Sequence, residues 1–195
     1  WFMLAPMTVT HALPPRNLDV AQAAQQGQTL SGHTPLTAFE RLAEPEHAAD
    51  WLASLPPVVW QVRAELRPTV GGADQLWLHL ALQASLPQTC QRCLQPMGQP
   101  VEVDGWVRLV ADEATAERED EDSEEDVLAL AQGRLDVSTL IEDELLLALP
   151  LVPMHEVCPE PVRMSAGHVD DGSASAQRPN PFAALAALKD SSKGT

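Results

Sequence analysis

Four residues could act together: Cys90 and Cys93, framing Cys90-Gln91-Arg92-Cys93, and His155 with Cys158, more than sixty positions later. Two thiols three positions apart can share one metal ion or one disulfide. Three thiolates and one imidazole are a normal tetrahedral set for structural zinc. A redox pair would instead open a helix, where the dipole lowers a thiol pKa. Here strand signals precede the pair and Pro96 and Gly98 follow it. The plainer alternative, a reduced and unliganded turn pair, is favoured by the spacing alone, and all three readings stay open. Glu142, Asp143 and Glu144 are the other chemically suggestive run. General acid–base work needs carboxylates facing one cleft, whereas successive helical positions point in different directions. They read better as anions at a favourable helix start. His11, His33, His47, His79 and His168 show no metal or catalytic spacing, and no phosphate loop or nucleophile elbow occurs.

The elements that must position these residues form an α+β pattern. Val58 to Arg67 alternates apolar Val58, Trp60, Val62, Ala64 and Leu66 with polar neighbours, and Gln75 to Leu86 alternates again. Gly71-Gly72 between them predicts an antiparallel hairpin. Pro96 and Gly98 predict a second turn, and Pro100 to Ala111 a third strand with a bulge at Gly105. Upstream, Asn17 or Asp19 caps a short helix to Gln26 that stops at Gly27, and Thr37 to Glu40 fits a capping box. The helix following that box, Ala38 to Leu55, would present Phe39, Leu42, Ala49 and Leu52, with a break at Pro45. The main helix runs from an Asp136 or Ser138 cap to Leu149, where Pro150 ends it. Its second half, with Leu145, Leu146, Leu147 and Leu149, is apolar nearly all round and is expected to pack under the sheet.

The fold class is therefore α+β: at least three antiparallel strands packed with one main helix, short N-terminal helices and a C-terminal amphipathic helix. Residues 1–17 are expected to be extended, 18–159 to form one domain with an acidic loop at 112–126, and 160–177 to be a flexible linker. The last part, 178–195, is expected to be a helix and tail, begun by Asn180-Pro181.

The chain has 195 residues and a net charge of −16, and ten of its 28 acids fall between Asp112 and Asp126. That balance opposes non-specific attraction to phosphate backbones. The longest apolar run, Leu145 to Val152, is broken by Pro150 and is well short of the roughly 18 residues that span a bilayer. Three cysteines are a poor disulfide framework, so a reducing, cytoplasmic setting is expected. Trp1 to Met7 lacks the pattern of a secretory leader, and Met3 or Met7 is the expected initiator.

The segments Cys90-Gln-Arg-Cys93, Val137-Ser-Thr-Leu-Ile-Glu-Asp-Glu-Leu-Leu-Leu-Ala-Leu-Pro-Leu-Val-Pro-Met-His155 and Arg178-Pro-Asn-Pro-Phe-Ala-Ala-Leu-Ala-Ala-Leu-Lys189 resemble the YceD family, the bacterial large ribosomal RNA subunit accumulation proteins. Order and spacing fit from about Leu13 to Lys189. The resemblance implies a role in synthesis, processing or stability of 23S rRNA without known catalysis. Some relatives carry more cysteines after the Leu-Pro segment, where this chain has His155 and Cys158, and others lack the CxxC pattern. It thus implies an ancestral metal site and a fold that does not depend on it. Direct contact with 23S rRNA would use Arg63, Arg67, Arg92 and Arg108. Contact with a basic large-subunit ribosomal protein would use the acidic stretch and the tail helix with Asn180 and Phe182. The charge balance favours the protein. The rival classes are a CxxC thiol oxidoreductase and a structural zinc adaptor.

Overall fold

A computed structural model describes residues 8–11, 13–43, 49–121 and 123–160. Six strands form one mixed sheet in sequential order: β1 (Thr8–His11), β2 (Thr29–Thr34), β3 (Val58–Arg67), β4 (Gln75–Thr89), β5 (Pro96–Val110) and β6 (Val127–Ala129). The three central pairings, from β2 to β5, are antiparallel, and the outermost strands β1 and β6 each lie parallel to their neighbour. The expected three-stranded layer is thus the centre of a wider sheet. β1 lies within the N-terminal segment expected to be extended. β2 escaped the pattern because Ser31, Gly32 and His33 break any apolar alternation, and β6 because it is only three residues long.

The period-two pattern sorts the two faces of the sheet. Val58, Trp60, Val62, Leu78, Leu80, Leu82, Val101, Val107 and Leu109 are buried on one face. Helices α1 (Val20–Gln25) and α4 (Val137–Leu147) cover that face, α1 over β3 and β4, α4 over β4 and β5. α1 begins as expected at Asp19, whose side chain accepts from the Gln22 amide at 2.9 Å, and the chain leaves it through Gly27 at φ 60°.

Several local expectations change. The β4–β5 pairing keeps one register from Leu76↔Leu109 to Thr89↔Pro96, so Pro96 and Gly98 lie in a strand and Gly105 makes no bulge. A Cβ at Gly98 would meet Ser85 Oγ at 2.5 Å and Leu55 Cδ2 at 3.2 Å, so glycine leaves room for these two side chains and does not mark a turn. In place of the expected Ala38–Leu55 helix there is a 3-10 turn at Leu36–Ala38, a further turn at Glu40–Leu42, and then α2 (Ala49–Ser54). Phe39, Leu42 and Leu52 are buried all the same, while Ala49 is exposed. Within the acidic stretch, Glu113–Asp120 is a helix, α3, capped by Asp112, which accepts from the Thr115 amide at 2.9 Å. Its glutamates need no burial, because only Ala116 faces inward.

α4 starts at Asp136, which accepts from the Thr139 amide at 3.0 Å, and is capped at Ala148. Glu142, Asp143 and Glu144 therefore lie beyond its first turn, where the positive helix end no longer reaches them. Leu145 is fully buried, Leu146 and Leu149 half-buried, and Leu147 exposed. No helix among the described residues is long and apolar enough to cross a membrane. The expected linker from residue 161 onward, and the terminal helix with Asn180 and Phe182, lie outside the described residues.

Candidate metal centre

The connection between β4 and β5 is a tight turn from Cys90 to Gln95. Cys90 N–H donates to the Gln95 carbonyl at 3.0 Å, and Leu94 N–H to the Cys90 carbonyl at 2.9 Å. Leu94 closes the turn in the left-handed region, φ 59°. Beyond α4 the chain returns to this turn, and Gln91 N–H donates to the Pro153 carbonyl at 2.9 Å. That contact brings in the second pair. Ligand atoms of Cys90, Cys93, His155 and Cys158 all lie within 4.8 Å of one another. Cys93 Sγ is 3.3 Å from His155 Nδ1. Bond lengths of about 2.3 Å to sulfur and 2.0 Å to nitrogen place tetrahedral zinc ligands roughly 3.5–3.8 Å apart. A modest contraction closes the four atoms on one ion, so the donor set fits.

Local hydrogen bonding prepares the thiols. Cys90 is fully buried, and burial alone would push its thiol up. The amides of His155, Cys93 and Arg92, with the Cys93 thiol, outweigh that and bring it down to about 5. His155 N–H reaches its sulfur at 3.4 Å. Cys93 moves up instead, through burial and through the neighbouring Cys90 and Cys158 sulfurs, against a bond from the Gln95 amide. Arg92 points at the second pair. Its Nε donates to Cys158 Sγ at 3.1 Å and its terminal nitrogen to the His155 carbonyl at 2.6 Å and the Glu156 carbonyl at 3.4 Å. Were a metal held there, the Arg92 guanidinium would offset the excess charge of three thiolates and orient the Cys158 sulfur. Arg92, expected as a contact to RNA, is thus engaged within the cluster. The CxxC sits between two strands and opens no helix, which removes the dipole a redox pair would use.

The other expected contacts gather on the sheet face opposite the core. Arg63, His79 and Trp106 align across β3, β4 and β5. The Arg67 guanidinium lies 3.9 Å from the Trp106 ring centre and 4.3 Å from that of Trp77. Glu65 pairs with both Arg67, at 2.6 Å, and Arg63, at 3.6 Å, and Arg108 pairs with Glu119 of α3. Each of the three arginines thus has a carboxylate contact, but Glu65 is shared by Arg63 and Arg67, and Glu119 by Arg108 and Arg118. Reading Trp77 and Trp106 as the outward phase of their strands would have found these partners.

Sequence reading missed the role of Glu142. Nearly buried, it accepts from the Arg41 backbone amide at 3.1 Å and from Arg41 Nε at 3.3 Å. Arg41 also bonds Asp143 at 2.7 Å and the Thr139 carbonyl at 3.3 Å, fastening the segment after Phe39 to α4. Nothing near Arg41 in sequence signals a partner a hundred residues away.

No solved structure matches the chain. A family model described as "Large ribosomal RNA subunit accumulation protein YceD" matches residues 78–189. A relative from Haemophilus influenzae, "Large ribosomal RNA subunit accumulation protein YceD", is 32% identical over 178 residues, covering 90% of this chain and 95% of its own length. The family model takes in the CxxC turn, β5 and α4, and the chain belongs to the YceD family.

Proposed function

We propose that this protein is a non-catalytic, cytoplasmic factor that supports accumulation of 23S rRNA during assembly of the large ribosomal subunit. The observation that carries the reading is the co-linear match to a relative of that name over nine-tenths of the chain. Two features support action through a large-subunit protein over direct grip on RNA. The net charge is −16. The arginines of the sheet face are each engaged by a carboxylate, and Arg92 is engaged by the metal cluster. Cys90, Cys93, His155 and Cys158 hold a structural zinc ion in this reading, and the ion would clamp the β4–β5 turn to the segment after α4.

Depletion of the protein in its host should lower 23S relative to 16S rRNA, and the plasmid-borne chain should restore the ratio. An unchanged ratio on depletion overturns the proposal. Purified protein should bind 23S fragments weakly, with little dependence on salt. A steep loss of affinity with rising salt would instead return the arginine face to the centre of the account.

A further inference from the structure

Exposed apolar side chains concentrate around the candidate metal centre. Leu151 is 100% exposed, Val157 82% and Leu94 73%, with Val152 and Met154 at half or more. Leu94 follows Cys93 directly, and the other four interleave with Pro153, His155 and Cys158. The two halves are tied together by Gln91 to Pro153 and by Arg92 to His155 and Glu156. These side chains therefore face water on a held segment. Leu94 is unfavourable twice over, since its φ of 59° is a conformation that glycine or asparagine adopts at less cost. The left-handed turn position does not call for a leucine, and the exposed Leu94 side chain is not buried within the chain, which directs attention to what it touches outside.

We propose that this apolar knob is a docking surface for a basic protein segment carrying an apolar stripe. The proposal rests on the reading above that the chain acts through a large-subunit protein. Charge selects the occupant. The knob's own segment carries the exposed acids Glu156 and Glu160. Among the described residues, the cation that reaches it is Arg92, which donates to Cys158, His155 and Glu156. A phosphate backbone would meet the carboxylates of Glu156 and Glu160 there, and a second copy brings the same acids on a chain of charge −16. A lysine- or arginine-flanked apolar helix face complements both the aliphatic side chains and the acids. Zinc would preorganise the knob by fixing both halves before the partner arrives, which removes part of the ordering cost of binding. Metal and partner then strengthen each other's binding reciprocally.

The test uses the zinc-loaded full chain with a photo-crosslinking residue at position 151 or 157, offered the RNA-free protein fraction of the large ribosomal subunit. Crosslinks should map to a basic protein of that fraction. Affinity for that protein should fall at least tenfold in the Leu151→Ser, Val152→Ser, Met154→Ser, Val157→Ser variant, and should fall on chelation. Leu94→Gly should also weaken binding while folding at least as well, because it relieves the left-handed strain. Unchanged binding by the serine variant, or crosslinks confined to added 23S RNA, to a second copy or to the chain itself, overturns the docking surface. Complementation separates the two readings. If the serine variant restores 23S rRNA as well as the unaltered chain, the knob is wrong and the parent reading stands. If the unaltered chain restores nothing, the parent reading has failed.

Discussion

Glu142 shows how a single side chain changes meaning once its surroundings are known. In the sequence it is one of three helix acids; in the fold it satisfies the backbone amide and guanidinium of Arg41. Glu142→Ala should destabilise by roughly 1–3 kcal/mol in denaturant titration, because a part-buried amide loses its acceptor. Glu142→Gln keeps an acceptor oxygen and should lose less. Cys90 makes a second residue-scale prediction. Its folded pKa of about 5 lies below the ordinary 9.0, so in metal-free protein its contribution is complete above the ordinary thiol range and is lost as pH falls through about 5. Stability should therefore rise with pH between those limits, a slope that Cys90→Ser should flatten. Cys93, shifted upward, is protonated in both states through most of that window and adds little slope there.

Among the elements, α4 joins core and site: it is buried on one side and its end delivers the chain to the candidate metal cluster. Leu145→Ala removes a fully buried side chain over the sheet and should cost about 2–5 kcal/mol. Asp136→Ala removes the N-cap and should cost about 1 kcal/mol. Glu144 works against its helix. Burial, with Asp126 and Asp143 nearby, pushes its pKa up, so its charged form is disfavoured in the folded state. Glu144→Gln should raise the melting temperature at neutral pH, and the gain should fade in acid, where the native carboxyl is already protonated.

For the molecule as a whole, the core and the metal centre are separable. The buried set around Trp60, Leu78, Leu80 and Ile141 includes none of the four candidate ligands. Chelation should lower the melting temperature of zinc-loaded protein while leaving its far-ultraviolet circular dichroism essentially native, since the ligand stabilises by mass action without building the sheet. Collapse to an unfolded spectrum on chelation would show that the metal is integral to the fold.

The central hairpin, the capped α1 and α4 and the two residue pairs of the candidate cluster were legible in the sequence because each depends on local spacing: period-two burial, an aspartate before a helix, candidate ligands paired at short intervals. The edge strands β1 and β6 were not legible, because short parallel pairing leaves little local pattern. Neither was the engagement of Arg92, Arg108 and Glu142. Sequence specified which side chains could coordinate, stack or pair. Only the packed chain decided which of them met, because contacts such as Arg41 with Glu142 depend on two distant segments reaching the same face of one helix.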